Sequence, residues 1–206
     1  MARVGVSYPL YCLLDQEDGY DLYDPSTIGW LGKATSFDIT VDNADANTLY
    51  ADNRLQETDN TFGGGTLTIG IDDLRDDAAL AILGLTKVGS AAPYELVHKA
   101  GTSAPYCAVG GVIKQIQSGV TKYTAVFLPK VQFSDPGISV STQGETIEWQ
   151  TPEITATILM MNYGDGYTER SKGWITTIGG FNSEYEAYVY IATTCMGATN
   201  PPTPLN

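Results

Sequence analysis

The chain has 206 residues, of which 43% are hydrophobic and 17% charged, and its formal net charge at pH 7 is -13. That length can bury a full core within one domain, and the abundance of Tyr, Thr and Gly favours a β-rich fold. Proteins that grip nucleic-acid phosphates need a basic surface, so the strong negative charge argues against ordinary nucleic-acid binding. We expect no membrane partner, because no apolar run approaches the length of a membrane span.

The negative charge is concentrated in the N-terminal part of the chain. Up to Asp77 there are fifteen acidic and four basic residues, a balance of -11, which leaves -2 for the remainder. One interpretation is solubility, since charged surfaces keep proteins apart. The other is a surface that repels anions. Both interpretations remain open from the sequence.

The first third of the chain predicts two long strands separated by acidic loops. Residues 4–14 form a first strand, which Pro9 restricts to a sheet edge or a bulge. Residues 15–25 read as a long exposed hairpin loop. Alternation then predicts a strand over residues 34–41, with Phe37, Ile39 and Val41 on one face and Asp38 and Thr40 on the other. Residues 42–60 are polar and acidic around a short strand at 48–51.

Residues 62–84 combine a strand with a helix. Apolar residues alternate from 66 to 71, and helical spacing follows, so we predict one helix over residues 73–83. Asp72 or Asp73 is placed to cap its N-terminus, and Gly84 to end it. The run Gly63-Gly64-Gly65 is interpreted as a flexible connector before the strand, because it lacks the Lys and Ser/Thr of a phosphate-binding loop.

The second half predicts a series of antiparallel strands. Residues 106–116 and 120–128 form a hairpin joined at 117–119, and both faces of its second arm are apolar, as in a sandwich or at a subunit contact. Further strands are predicted at 131–133, 138–141, 145–149, 153–160 and 186–192. The Pro-rich end is expected to be a loose or extended arm.

Residues that could carry chemistry are few. His98 is the only histidine, and we interpret it as an ordinary polar residue. Residues 43–47 place oxygen ligands at alternate positions, but Thr48 and Arg54 stand where a calcium loop needs Gly and Glu. Cys12, Cys107 and Cys195 are too far apart for a zinc motif and odd in number, so we expect buried free thiols and a reducing compartment. We therefore predict no catalytic, cofactor or metal site.

Two functional interpretations of different classes, a binding module and an enzyme, remain open from the sequence. Thirteen Tyr and three Trp also fit a carbohydrate-binding or receptor-binding β-sandwich module of a phage, although aromatic residues in strands more often belong to a core or a subunit contact. The other alternative, ranked well behind, is a glycosidase, whose paired carboxylates would be brought together by the fold.

Several segments, taken in order, resemble the major tail protein (tail tube protein) family of phages with long non-contractile tails. They are TLYADNRLQET from Thr48, GGGTLTIGIDDL from Gly63 with the helix ALAILG, APYCAVGGVI from Ala104, KYTAVFLPKVQFSDPG from Lys122 and ETIEWQTPEITATI from Glu145. Each motif is weak alone, but their order and spacing make the combination specific. The resemblance covers residues 4–163.

The resemblance implies an antiparallel β-sandwich or barrel-like tail-tube fold with one helix. Residues 1–195 would form a single domain, in which 164–195 are an elaboration, and residues 196–206 the Pro-rich arm. Subunits would form rings of six that stack into a tube in the virion tail, after assembly in the host cytoplasm. Its partners would be copies of itself and the tape-measure, tail-terminator and distal-tail proteins, and genomic DNA would pass through the lumen unbound. The family has no catalytic residues.

An acidic lumen would repel DNA phosphates, so the acidic segments become candidate sites. The candidates for the lumen or the contact between rings are Asp38, Asp42, Asp45, Asp52, Glu57 and Asp59. The candidates for a loop that contacts the next ring are Asp15, Glu17, Asp18, Asp21 and Asp24.

Overall fold

The computed structural model describes residues 2–15, 22–43, 48–51, 54–58, 62–89, 92–137, 151–161 and 173–205. It is mainly β, with antiparallel pairing throughout, as the sequence predicts. The strands are β1 (Ala2–Leu13), β2 (Gly29–Trp30), β3 (Ala34–Asn43), β4 (Thr48–Ala51), β5 (Arg54–Thr58), β6 (Phe62–Ile71), β7 (Thr86–Val88), β8 (Glu95–Val97), β9 (Tyr106–Gln117), β10 (Val120–Phe133), β11 (Glu153–Ile158) and β12 (Thr176–Phe181). The helices are α1 (Asp76–Leu83) and α2 (Glu184–Tyr190), which continues as a π-helical turn, Ile191–Cys195.

One eight-stranded sheet organises the chain. Its hydrogen-bonded order is β2-β1-β9-β10-β11-β6-β3, and β12 pairs with the first half of β10. The second half of β10 pairs instead with β11. The long strand β10 therefore splits the sheet into two branches, one leading to β12 and the other to β3. The pairs β4-β5 and β7-β8 are separate hairpins.

The central strands are buried on both faces. Along β1, Tyr11 faces one core and Leu10 and Cys12 face the other. The core that contains Tyr11, which we name the inner core, joins these strands to β6, β11 and α1, so the sheet curls around it. The core that contains Leu10 and Cys12, which we name the outer core, packs against α2. This confirms that both faces of the β10 arm are covered, here by the chain's own elements.

The bulge predicted at Pro9 is present. The pairing of β1 with β9 shifts register between Ser7 and Leu10, and Tyr8 has a φ of +55°. A bulky residue rarely adopts this left-handed backbone, and least often before a proline. The bulge lets β1 continue past Pro9 toward β2.

The glycine run is not a connector, contrary to the prediction. Gly63, Gly64 and Gly65 belong to β6, where Gly65 pairs with Val41 and with Ile158. A Cβ on Gly65 would lie 2.8 Å from the carbonyl oxygen of Thr40. Glycine is therefore needed where the β3 and β6 backbones approach closely.

Replacing Gly65 by alanine is expected to lower the free energy of unfolding by about 1–3 kcal/mol, because the Thr40 carbonyl belongs to the backbone and cannot rotate away. Gly5→Ala is the control, since nothing lies within 4 Å of its Cβ position, and its effect should stay within about 0.5 kcal/mol. Urea unfolding measures both. Equal losses in the two variants would contradict the close approach.

The helix α1 begins later than predicted and without the predicted cap. It starts at Asp76 after Arg75, which makes no side-chain capping bond. Asp72 instead accepts hydrogen bonds from the backbone N–H of Lys33 (2.7 Å) and Asp73 (2.8 Å). Its carboxylate therefore connects the end of β6 to the start of β3 and is not available to cap the helix. Gly84, with a φ of +66°, ends the helix as predicted.

The strand predicted at residues 186–192 is wrong, since this segment is helical. Ser183 caps the N-terminus of α2 by accepting a hydrogen bond from the Glu186 N–H at 3.1 Å. The Glu186 carboxylate accepts from the Asn182 N–H at 3.3 Å. Ser and Glu three residues apart are the signature of a capping box, which outweighs the local alternation of Ala, Val and Ile with Tyr. The chain thus has a second helix.

Other predictions differ in extent. The segment 131–133 is the end of β10, and β11 stops at Ile158. The strands predicted at 138–141 and 145–149 lie outside the described residues, as does most of the calcium candidate at 43–47. The Pro-rich end is not loose, because it packs against the outer core through Leu205.

The three cysteines are buried free thiols, as predicted. Burial raises the pKa of the Cys12 thiol to about 12 and also raises the pKa of Cys107. Cys12 lies beside the Asp24 carbonyl oxygen at 3.2 Å, and Cys107 beside the Val131 carbonyl oxygen at 3.8 Å. Both thiols therefore stay protonated in the folded chain well above the pH at which a free thiol ionises.

The free energy of unfolding is expected to fall as pH rises above about 8.5, where an unfolded thiol ionises. The unfolded chain then loses protons that the folded chain keeps, which removes on the order of 1 kcal/mol per pH unit for each buried thiol. The contribution is complete below that pH and is lost toward pH 12. Urea unfolding from pH 7 to 10.5 measures the slope. The Cys12→Ala, Cys107→Ala variant should show a shallower fall, and identical slopes would refute the assignment.

Candidate assembly surface

The outward face of β3, β6 and β11 is a polar surface, which we name the acid–hydroxyl face. Strand pairing aligns its side chains in rows across the three strands. Its members are the outward residues of the three strands: Ser36, Asp38, Thr40, Asp42, Gly64, Thr66, Thr68, Gly70, Glu153, Thr155 and Thr157.

Alternation along each strand decides which residues face outward. Leu67, Ile69 and Ile71 of β6 are fully buried in the inner core. Ile154 of β11 is buried in the same core. Because successive side chains of a strand point to opposite faces, the residues between them must face away from this core. The burial of the apolar residues therefore determines which polar residues of the same strands face outward.

The face carries negative charge and hydroxyl groups. Asp38, Asp42 and Glu153 are exposed, and none of the outward residues of the three strands within the described ranges is Lys or Arg. Hydroxyls fill the intervening positions, with Thr68 beside Asp38 in one row and Thr155 beyond it. Such a surface stays hydrated and repels anions without a built binding site.

The strand β3 is the last strand of the sheet on this face. Among the described strands, β3 forms a hydrogen-bonded ladder only with β6, and β1 approaches it without such a ladder, so the other edge of β3 makes no ladder in that part of the chain. Edge strands are usually protected by charged side chains, above all Lys, or by Pro. The ten residues of β3 contain two Asp but neither Lys nor Pro. Val41, near its end, is 40% exposed. The edge is thus suited to pairing with another strand.

The predicted lumen residues divide into three groups. Asp38 and Asp42 lie on the acid–hydroxyl face. Glu57 lies on β5, of which only the backbone is described. Asp45, Asp52 and Asp59 lie outside the described residues.

Glu153 belongs to the face and was not among the predicted site residues. The signal was present, because Glu153, Thr155 and Thr157 alternate with the buried Ile154, Ala156 and Ile158. It was missed because that alternation predicts a two-faced strand but not which neighbouring strands share the polar face.

The acidic loop after β1 is only partly described. Asp15 is exposed, and its N–H donates to the Leu22 carbonyl at 3.0 Å. Asp24 accepts hydrogen bonds from the Ser26 hydroxyl at 2.6 Å and from its N–H at 2.9 Å, and they hold the pKa of its carboxyl below the ordinary value. Asp24 therefore caps the short 3₁₀ turn Pro25–Thr27. Glu17, Asp18 and Asp21 lie outside the described residues.

A second polar cluster surrounds His98, which follows β8. Its Nδ1 contacts the Asp135 carboxylate, and both side chains are about half exposed. The N–H of Gly137 and the histidine together lower the pKa of Asp135. A cavity of about 160 Å³ adjoins them, lined partly by Lys99, Thr102 and Phe133. This arrangement fits a surface hydrogen bond that holds a loop, in keeping with the interpretation of His98 as an ordinary polar residue.

Among the described residues no group of three or more His, Cys, Asp or Glu could hold a metal ion. Within that same part of the chain, no helix is long and apolar enough to span a bilayer. Compared with known proteins, the sequence matches no protein-family model and no curated protein. The acid–hydroxyl face and the β3 edge are therefore the features of the described residues that bear on function.

Proposed function

We propose that this chain is a structural subunit of a phage tail tube, which acts by self-assembly rather than by catalysis. The observation that carries the proposal is the acid–hydroxyl face, which lies beside a sheet edge on the same strand, β3. The resemblance of the sequence to major tail proteins supplies the biological setting. Stacked rings, six subunits to a ring, belong to the proposal on the strength of that resemblance.

Assembly would use the β3 edge. A strand from a neighbouring copy that pairs with β3 would form a ladder along its other edge and extend the sheet. The acid–hydroxyl faces of successive copies would then be continuous. Since Phe37 and Ile39 are only partly buried, the same contact would cover the apolar side of the edge.

The continuous face would line a bore through which DNA passes. Carboxylates facing the bore repel phosphates, and this repulsion acts over about 8 Å at physiological salt. Hydroxyl groups hold water but carry no charge that could trap a polyanion. The proposed role of the face is therefore to exclude contact rather than to bind. Tape-measure, tail-terminator and distal-tail proteins are the partners that the resemblance suggests.

The direct test is electron microscopy of the purified full chain and of the virions that contain it. We expect stacked rings with a central bore, and an averaged map with Asp38 and Glu153 facing that bore. Discrete particles without rings, or a bore lined by basic residues, would refute the proposal. A variant with Ile39→Pro in β3 should remain folded and fail to form tubes, because proline removes an N–H donor and stiffens the edge.

The carbohydrate-binding alternative has weaker support from the aromatic residues. Trp30 and Tyr188 are buried in the outer core, and Phe62 stacks in parallel on Trp174 with ring centroids 4.5 Å apart. Rings committed to such packing are not free to stack on a sugar. Binding to a glycan array by the full chain would nevertheless favour that alternative over a tube subunit.

A further inference from the structure

Three aromatic rings from distant parts of the chain meet beside the outer core, and we name them the aromatic groove. Tyr8 comes from the bulge of β1, Trp30 from β2 and Tyr188 from α2. Their ring centroids lie 5.1–5.5 Å apart in all three pairs. Burial raises the pKa of the Tyr188 hydroxyl to about 12, so this hydroxyl keeps its proton and can donate a hydrogen bond at physiological pH.

The Pro-rich segment of residues 201–205, PPTPL, lies in this groove, and we name it the strap. The Trp30 indole Nε1–H donates to the Thr203 carbonyl at 2.9 Å, and the Tyr188 hydroxyl donates to the Pro202 carbonyl. Leu205 packs against the outer core and lines a cavity of about 240 Å³ together with Tyr8 and Trp30. The polar atoms of two aromatic residues are thus directed at the strap's backbone.

Burial along the strap is interrupted once, at its middle residue. Positions 201, 202, 204 and 205 are half-buried, whereas Thr203 is exposed. A polyproline-II helix has three residues per turn, so two of its three faces can contact a groove while the third faces solvent. The strap also has prolines at positions 201 and 204, the PxxP spacing. Aromatic grooves that donate hydrogen bonds to the carbonyls of such a helix are a recurring way of binding Pro-rich peptides.

The strap is held by these contacts rather than by a sheet. Its prolines have no N–H to donate. In the described part of the chain, the last hydrogen bond between backbone groups before the strap runs from the Ala198 N–H to the Ala192 carbonyl at 2.9 Å. Gly197, with a φ of +79°, lies just before that anchor. An identical strap from another copy could make the same contacts, which is the condition for exchange between copies.

We propose that the aromatic groove is a polyproline-recognition site, and that its ligand is the strap of a second copy as well as the chain's own. Its three rings come from β1, β2 and α2, and none of these elements contributes a residue to the acid–hydroxyl face. The proposed recognition site can therefore be tested separately from the tail-tube function. Exchange would link copies through a contact that needs no sheet edge.

The test uses the full chain labelled with ¹⁵N and carrying Pro201→Gly and Pro204→Gly, which removes the preorganisation of its own strap. Circular dichroism checks that it is folded, and Leu205→Ser is a second strap variant if it is not. The resonance of the Trp30 indole N–H, assigned with Trp30→Phe, should shift from its wild-type position when the strap leaves. Unlabelled peptide ATNPPTPLN should restore it, whereas a scrambled peptide should not.

An unlabelled full chain carrying Trp30→Phe then serves as the donor of an intact strap. We expect it to restore the resonance as the peptide does. The wild-type chain should bind the peptide at least tenfold more weakly than the strap variant, because its own strap competes at a millimolar effective concentration. Failure of the peptide to restore the resonance would overturn the recognition site, and restoration by the peptide but not by the donor chain would overturn exchange.

Discussion

For a tail-tube subunit as proposed, replacing Asp38 and Glu153 with lysine is expected to leave tubes intact and to block the passage of DNA through them. Both side chains are exposed on the acid–hydroxyl face, so each substitution should change the free energy of unfolding by no more than about 0.5 kcal/mol. The face would become attractive to phosphate in every copy of the subunit. We expect infectivity to fall by at least about tenfold, since surface fields change encounter rates by that much or more.

The control carries the same change in charge elsewhere. Asp73→Lys with Glu95→Lys also shifts the formal net charge from -13 to -9, and both residues are exposed outside the acid–hydroxyl face. Plaque assays and DNA release in vitro measure passage, while electron microscopy confirms tubes. Normal infectivity in the Asp38, Glu153 variant, or equal loss in the control, would remove the reason to place this face in a lumen.

Truncating Tyr188 to alanine is expected to cost about 3–5 kcal/mol of the free energy of unfolding, the largest effect of any single change considered for this chain. The residue is fully buried. Its ring contacts those of Tyr8, Trp30 and Tyr185, and its hydroxyl donates to the Pro202 carbonyl. The substitution leaves a cavity between α2 and the sheet and releases the strap at the same time.

Two further variants separate these contributions. Tyr188→Phe keeps the ring and removes only the hydroxyl, so it should cost about 1 kcal/mol. Tyr185→Ala lies on the same helix but is 57% exposed, and its effect should be small by comparison. Urea unfolding compares the three. A loss in Tyr185→Ala as large as that in Tyr188→Ala would show that α2 does not dock as described.

Sequence patterns correctly predicted those helices and strands whose structure is determined by residues within the same segment. Alternation identified β3 and β6, because each strand has one apolar face against the inner core. The β9-β10 hairpin was identified instead from two β-rich segments separated by a short turn. Gly84 ended α1 because glycine adopts the left-handed backbone at little cost. The segment 186–192 shows the limit of this reasoning. Its alternating residues suit a strand, yet Ser183 and Glu186 cap a helix that buries Tyr188.

The cap of α1 failed for a tertiary reason. Asp72 has the side chain of a good helix cap, but its carboxylate is used by the backbone of Lys33, from a segment 39 residues away. The glycine run was also misjudged, because only the approach of Thr40 shows that Gly65 has to lack a side chain. Contacts distant in sequence decided both outcomes.

The sequence by itself determined that this is a mainly β chain with a strong negative charge, since composition and alternation do not depend on how the strands are arranged. The tertiary structure alone decided which acids share a surface. Asp38 and Glu153 are 115 positions apart, and they meet on one face only because β6 pairs with both β3 and β11. Pairing between strands is a non-local choice, made by burial of the inner core. In the same way, only the packing of α2 beside β2 gave Trp30 and Tyr188 a common ligand.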